Sequence, residues 1–541
     1  MAFKKKSSKI LLVLLAVVLI GFVSAKDPFF EIKKNFTLFS EVVREIQDLY
    51  VVQVSPERLI RTGINAMLES LDPYTVLIDE ADTQEIDFMT TGRYAGVGIE
   101  AGARNGQLVV IAPIDGYPAA RAGIRPGDVI TEVDGIASSE LNAEDLNAKL
   151  RGEPGSKVVL KIQRFGIDDP LLFELVRERI EIRNVPFYAF ADKEHGIGYV
   201  VLSRFSNNAA DEIKQAISSL QQEAELKSLI LDLRNNPGGL LSEAVKTVDI
   251  FIPQGMEVVL TRGQNRQSRQ IFLTERSALM ENQPVVILQN QGSASSSEIV
   301  AGALQDYDRA VIVGEQSFGK GLVQIIRPLS YSNALKITTS NYFIPSGRSI
   351  QSVNYGTSED IEDDLTEFFT ASGRVVFEST GISPDVFVDT DPSNMLEIAL
   401  IRHNSYFFFA NEFVAENVEL TLNDDQLFNS FLTWLEKSDF SYETRSERLL
   451  AQLEAQLKDE FDDTTSGSTN LEKLRNDLMQ LRQLDKQRSK NKIVTELRLE
   501  LASRYDGTTG RQLAQLKLDP VISEAKRILT DLQRYKALLN P

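Results

Sequence analysis

The chain has 541 residues, and its 58 Lys and Arg against 77 Asp and Glu leave a formal net charge of −19. A field of that sign repels phosphate backbones and argues against a general nucleic-acid role, while the length points to roughly three or four domains. With no Cys and only two His, His195 and His403, the chain excludes a cysteine protease, a thiolate zinc site, a disulfide scaffold and an HExxH metalloprotease.

At the amino terminus Lys4, Lys5, Lys6 and Lys9 precede an apolar run from Ile10 to Val23, which ends in Val23-Ser24-Ala25. The run is shorter than the roughly 20 residues that cross a bilayer core, so a secretory signal over 1–25 is expected, with an uncleaved signal anchor as the other reading. Both readings place the bulk of the chain outside the cytoplasm, in the periplasm or held at the inner membrane. Residues 29–91 read as helical, with Phe39, Val42, Val43, Ile46, Leu49 and Tyr50 at helical spacing, until Leu71-Asp72-Pro73-Tyr74-Thr75 breaks the pattern. Over 92–180 short β-branched runs (Leu108 to Ile111, Val129 to Val133, Val158 to Ile162) alternate with Gly and Pro, as in a small β-rich domain.

Residues 181–390 read as α/β. Buried-strand runs lie at Ile197 to Leu202, Leu229 to Leu233, Val285 to Leu288 and Ala310 to Val313, with helices over Ala209 to Leu226 and Leu240 to Phe251 between them. From 391 to 541 the chain is charged and Leu-rich. Helices are expected over Leu449 to Phe461, Leu471 to Arg504 and Val521 to Leu539, with breaks at Asp462 to Asn470 and Asp506 to Gly510. The spaced leucines of this tail are too apolar for a solvated linker, so it packs on the chain or pairs with another subunit.

Two places look like chemistry. Gly292-Ser293-Ala294-Ser295-Ser296-Ser297-Glu298 follows a strand and opens a helix, which puts free N–H groups in front of the turn. Ser295-x-x-Glu298 is a capping-box pattern, and Ser295 is equally a nucleophile beside ready oxyanion donors. The second place, Gly314 to Gly321, nearly matches a GxxxxGK[ST] phosphate loop, but Gly321 stands where the magnesium-holding hydroxyl belongs. Lys320, between two glycines and near Phe318, can instead be drawn into an apolar pocket. Burial there disfavours the ammonium and yields an amine able to act as general base, which makes a Ser-Lys dyad. The strand Leu231-Asp232-Leu233 runs into Arg234-Asn235-Asn236-Pro237-Gly238-Gly239, whose glycine pair is a plain strand-helix turn or an N–H aimed at a carbonyl oxygen. His195 lies in a polar turn and His403 in the tail, and nothing places either near a serine.

These residues together resemble the carboxyl-terminal processing peptidases, over about Phe36 to Val388. The resemblance rests on LDLRxNxGG at Leu231 to Gly239, Gly292-Ser293-Ala294-Ser295 with Ser297-Glu298-Ile299, Phe318-Gly319-Lys320-Gly321, and the closing Gly381-Ile382-Ser383-Pro384-Asp385. It implies a multidomain α/β chain: a protease core of the ClpP/crotonase-like type with an inserted PDZ domain and helical N- and C-terminal regions. Ser295 is then the nucleophile, Lys320 the general base, and Gln324 the residue that positions the lysine, while the backbone N–H groups of Gly239 and Ser296 bind the oxyanion. Ser293 and Ser297 rank below Ser295. Gly96-Val97-Gly98-Ile99 resembles a PDZ carboxylate-binding loop, supported by the PDZ-like run Ala122 to Ile130. The implied activity is endoproteolysis of proteins recognised by their free C-terminus, without metal or cofactor, in a homo-oligomer such as a dimer; the alternative is a PDZ scaffold that binds tails without cutting. An acidic insertion over Ser349 to Glu378 and the long tail depart from the family pattern.

Overall fold

A computed structural model describes residues 28–540 apart from 80–87, 89, 265–267, 353–354, 356–365, 379–380, 391–393, 439 and 461–464. The expected signal over 1–25 and the acidic run of the insertion lie outside the described residues. The chain forms two compact units, one of residues 1–80 with 324–338, the other of 81–323 with 339–541.

In the first unit the helical spacing becomes two helices, Pro28–Leu49 and Pro56–Glu69, the second capped by Ser55. The expected break is an Asx turn: the Asp72 carboxylate accepts from the N–H groups of Tyr74 and Thr75, both at 2.8 Å. The strand Val76–Ile78 that follows pairs antiparallel with Ala334 to Lys336.

The second unit is built on a six-stranded sheet in the order Phe187–Asp192, Ile197–Val201, Ser228–Asp232, Val285–Gln289, Val311–Gly314, Val386–Phe387. All neighbours after the first pair run parallel. Continuous apolar strands are what such a sheet needs, since alternate residues face opposite sides and both sides are covered. Leu229, Leu231, Val285, Ile287 and Ile312 pack beneath the helices Ala209–Glu223, Leu241–Val248 and Ser296–Asp306. Ile230, Val286, Leu288, Val311 and Val313 point the other way, onto Val521, Ile522, Ala525, Ile528 and Tyr535. The last helices, Pro520–Thr530 and Leu532–Leu539, therefore complete the core of the sheet, so the end of the tail packs on its own chain. Tyr535 fixes them there: its hydroxyl accepts from Val285 N–H (3.1 Å) and donates to Arg309 O (3.1 Å).

The β-rich segment closes around Val110, Ile130, Leu146 and Leu160, with the helix Ala143–Leu150 across its strands. Its Arg125-Pro126-Gly127-Asp128 run is explained by Asp128, 1% exposed, which accepts from Arg125 N–H and takes a bidentate pair from Arg164, both arms 2.7 Å. Four further helices, Met395–Arg402, Ser405–Glu416, Asp424–Lys437 and Lys490–Leu518, pack among themselves on Phe409, Phe428, Phe431, Ile493 and Leu497. The expected break at Asp506 to Gly510 is present: within Lys490–Leu518 the φ/ψ angles are non-helical at Asp506 and Gly507 (φ 65°), where a glycine absorbs the turn, and apolar residues beyond it, such as Leu516, pack on the sheet. One expectation is corrected: the helix over Leu471 to Arg504 divides at Ser489 into Thr465–Arg488 and Lys490–Leu518.

Candidate active site

The serine loop leaves the C-terminal end of Val285–Gln289 and enters the helix Ser296–Asp306. Four serines crowd this turn, and their hydroxyls separate them. Ser293 Oγ donates to Leu233 O (2.8 Å), Ser296 Oγ to Gly239 O (3.1 Å), and Ser297 Oγ to Asn236 O (2.9 Å). All three are 1% exposed and spend their hydroxyls tying the turn to the Leu233 to Gly239 loop. Ser295 is only partly buried and is held at φ 57°, ψ −112°, a conformation that a residue with a side chain adopts only when its surroundings impose it. A sharp turn of this kind lifts a side chain clear of the sheet.

The Leu233 to Gly239 loop is seated by Asn236, which is fully buried. Its Nδ2 donates to Leu202 O (2.8 Å), its Oδ1 accepts from Gly238 N–H (2.9 Å), and its carbonyl accepts from Ala294 N–H (3.0 Å). The glycine pair is required by space. A Cβ on Gly239 would fall 2.3 Å from Phe205 O, and one on Gly238 would fall 2.9 Å from both Ser295 Cβ and Ser296 N. The loop thus lies directly against Ser295. Among the described residues neither Gly239 N–H nor Ser296 N–H has an acceptor, and Ser296 opens its helix, where such donors point outward.

The lysine loop follows Val311–Gly314. No helix follows it, since Leu322–Pro328 is a strand, and the phosphate-loop likeness ends there. The closing Gly381 to Asp385 segment pins the loop: Ser317 N–H donates to Ile382 O (3.2 Å) and Ser317 Oγ accepts from Ile382 N–H (2.6 Å). Phe318 N–H donates to Ser293 O (3.0 Å). The Phe318 ring is half exposed, whereas Lys320 is partly buried.

Glu298 joins the two loops. It is fully buried, and each of its carboxylate oxygens accepts twice: Oε1 from Ser317 Oγ (2.6 Å) and Gly319 N–H (2.7 Å), Oε2 from Ser295 N–H (2.7 Å) and Lys320 N–H (2.9 Å). Because the N–H groups of Ser295 and Lys320 meet at one oxygen, the two residues are neighbours despite the 25 positions between them. Burial raises the Glu298 carboxyl above its ordinary value, and the donors from Ser317, Lys320, Gly319 and Ser295 offset only part of that. Sequence reasoning saw Glu298 only as a cap partner. Its capping half is real, in the bond from Ser295 N–H, but the other three donors come from a loop about 20 residues away. Asn236 was missed outright.

Gln324 stands on the strand Leu322–Pro328, not in a helix or loop turn, and in the first compact unit, where its Nε2 donates to Thr338 Oγ1 (3.2 Å). Ser295 and Lys320 belong to the second unit. Asp232, the strand-end acid, is neutralised by Arg234, which also pairs with Asp519 (2.7 Å), and it accepts from the Tyr199 hydroxyl (2.7 Å). His195 pairs with Asp192 at the surface, and His403 packs edge-on to Phe440. Among the described residues no group of three or more His, Asp or Glu can hold a metal ion.

In the β-rich domain Gly96 ends a strand and Ile99 begins the next. Between them the carbonyls of Val97 and Gly98 are turned inward, accepting from Ala119 N–H (3.0 Å) and Ile114 N–H (2.8 Å). The Gly98 N–H has no acceptor among the described residues. Gly98 sits at φ 74°, with Tyr117 Cβ 2.6 Å from where its own Cβ would be.

Residues 196–363 match peptidase family S41, residues 109–164 a PDZ domain, and residues 396–529 the C-terminal helical domain of probable PDZ-proteases. The carboxy-terminal-processing protease of Bartonella bacilliformis is 39% identical over 349 residues, which cover 64% of this chain and 79% of that protein. A probable CtpA-like serine protease of Staphylococcus aureus is 34% identical over 338 residues, 62% of this chain and 66% of that one. Among solved structures, the photosystem II D1 C-terminal processing protease shares 28% identity, covering 68% of this chain and 97% of its own, with a TM-score of 0.38. The chain belongs to peptidase family S41 and is a serine-type peptidase that carries a PDZ domain.

Proposed function

We propose that the chain is an exported endopeptidase that captures the free C-terminus of a protein substrate and cuts upstream of it. The observation that carries the reading is the single Glu298 oxygen shared by Ser295 and Lys320, which holds a nucleophile and a base together with no histidine nearby. Ser295 Oγ attacks the scissile carbonyl and Lys320, as a neutral amine, takes its proton. The N–H groups of Gly239 and Ser296 receive the developing oxyanion; such a donor is worth about 10²- to 10³-fold in kcat. As the intermediate collapses, the peptide C–N bond breaks and Lys320 passes that proton to the departing amine. Water then attacks the acyl-enzyme and gives a proton to Lys320, which returns it to Ser295 Oγ as the ester bond breaks. The Gly96-Val97-Gly98-Ile99 loop takes the substrate's terminal carboxylate on its N–H groups while the tail adds as a strand.

Export rests on the basic start and the apolar run Ile10 to Val23, which also leaves room for anchoring at the inner membrane. Self-association is supported by the helix Pro28–Leu49, where Phe29, Phe30, Ile32, Phe36, Leu38 and Val42 are all exposed. Together the large side chains of that helix present on the order of 1,000 Å² of apolar surface, more than the roughly 800 Å² one partner gives to a standard interface. A second copy of this chain is the partner proposed for it.

Cleavage of a reporter bearing an apolar C-terminal tag tests the enzymatic reading. Ser295→Ala and Lys320→Ala are each expected to abolish it, and full cleavage by either variant overturns the assignment. Tail binding by the unaltered protein with no fragments by mass spectrometry would favour the scaffold reading.

A further inference from the structure

We infer that the Tyr342 hydroxyl is a positioning group for the serine and the lysine, completing from the carbonyl side the brace that Glu298 supplies from the N–H side. The inference rests on the Ser295–Lys320 reading above. Tyr342 is 1% exposed on the strand Ala334–Phe343, and its own N–H donates to Gly321 O (2.9 Å). Its hydroxyl donates to Ser295 O (3.2 Å) and to Lys320 O, so one proton is shared between the carbonyls of the two residues whose N–H groups share Glu298 Oε2.

Two residues from different loops are thereby held at both their N–H and their C=O, one side by a helix side chain and the other by a strand side chain. A buried tyrosine suits the task, because its ring leaves only two torsions to order and its hydroxyl sits at a set distance from the strand. Ser295 needs such a hold, since φ 57°, ψ −112° is a conformation it would leave if released. The lysine loop needs it as well, because Gly319 (φ 87°) and Gly321 flank Lys320 and resist little. Without the hydroxyl, the Ser295 carbonyl keeps only the Ile299 N–H (3.0 Å) and the Lys320 carbonyl loses this donor. The Lys320 peptide can then rotate between its glycines, and the hydroxyl–amine geometry broadens. Misplacing reacting groups by about 1 Å costs on the order of 10²-fold in rate while leaving ground-state binding intact.

Tyr342→Phe keeps the ring and removes only the hydroxyl. With a C-terminally tagged peptide as substrate, kcat is expected to fall about 10- to 100-fold with KM within about twofold. Labelling of Ser295 by a fluorophosphonate should slow by the same factor. Ile344→Val, a buried change just past the end of the strand, is the comparison for general loosening: it should lower Tm while leaving kcat unchanged. 4-Aminophenylalanine at 342, which restores a donor at the same ring position, should recover most of kcat. A kcat for Tyr342→Phe within twofold of the wild type overturns the inference, as does a loss confined to KM or one no greater than Ile344→Val shows for the same fall in Tm. If Tyr342→Phe lacks a cooperative unfolding transition, the 4-aminophenylalanine and 4-fluorophenylalanine forms are compared instead, and equal kcat values sink the idea. Full activity in Ser295→Ala would refute the dyad itself, whereas an inactive Ser295→Ala beside a fully active Tyr342→Phe refutes only the positioning role.

Discussion

Glu298→Gln is the substitution that tests the architecture of the site most directly. The carboxylate accepts four hydrogen bonds, two at each oxygen, and an amide of the same shape can accept at only one end. Whichever way the amide turns, two buried donors face its NH₂ group. Each bond to a charged acceptor is worth about 1.5–3 kcal/mol, and a stranded donor costs about 1–3 kcal/mol, so a loss on the order of 3 kcal/mol is expected. At about 2.1 cal/mol/K per residue, a unit of this size answers that loss with a Tm lower by roughly 3 °C. If the amide strands the Ser295 and Lys320 N–H groups, the same loss falls on the alignment of the reacting side chains, and about 10²-fold in kcat follows. Peptide-cleavage kinetics at 25 °C beside calorimetry separates the two effects. The pH profile adds a third readout. Because burial raises the Glu298 carboxyl, it takes up a proton at higher pH than an ordinary glutamate, and that proton must displace one of the four donors. The wild-type kcat should therefore fall on an acid limb lying above the ordinary carboxylate range, and Glu298→Gln should lack that limb. A variant with lowered Tm but wild-type kcat and an unchanged acid limb would show that Glu298 only holds the fold, refuting the reasoning.

Gly239→Ala places a Cβ 2.3 Å from Phe205 O, so the loop must retreat and carry its N–H away from Ser295; kcat should fall at least about 100-fold with KM little changed, and a fall under fivefold would rule out Gly239 as an oxyanion donor. Tyr535→Phe deletes the hydroxyl that bonds Val285 and Arg309 on the far face of the sheet; calorimetry should show Tm lower by about 1–3 °C while kcat stays as it was, and an unchanged Tm would mean that the last helix contributes nothing through that hydroxyl. Phe36→Glu with Val42→Glu puts two charges on the exposed apolar face of Pro28–Leu49; light scattering after size exclusion should report a smaller assembly, and an unaltered mass would exclude that face as the interface.

The sheet was legible because its strands are buried on both faces. Runs such as Leu229 to Leu233 and Val285 to Leu288 carry no polar alternation to mistake for a helix or an edge, and their flanking glycines set the ends. What covers the second face was not legible. The Pro520–Thr530 helix lies more than 200 residues beyond the central strands Val285–Gln289 and Val311–Gly314 on which it packs, and its apolar residues look the same whether they meet this sheet or another subunit. The pairing of Arg234 with Asp519, 285 positions apart, is hidden for the same reason. Half-buried strands were also lost: Leu322–Pro328 and Ala334–Phe343 mix polar and apolar residues, and their shared hairpin carries no short Asn-Gly or Asp-Gly turn to announce it. Tyr342, which that second strand delivers to the site, could not be found without the pairing.

The site itself divides along a similar line. Ser295 and Lys320 were singled out because glycines around a serine and around a lysine relax the backbone in a way a plain turn does not require, and a chain with two histidines needs another base. Residue identity alone could not separate the four serines, since each is a potential nucleophile on a glycine-rich turn. The separation lies in what their hydroxyls do. Three are consumed by main-chain carbonyls of the neighbouring loop, and the same bonds that silence Ser293, Ser296 and Ser297 press Gly238 and Gly239 against Ser295. Under the proposed mechanism those three serines act on the reaction by refusing to take part in it: with the Ala294 N–H on Asn236 O, their bonds hold the loop that bears Gly239 against the helix that Ser296 opens. A run of serines at this turn is then an adhesive, and the member proposed as reactive is the residue whose backbone is strained and whose hydroxyl those carbonyls leave unclaimed.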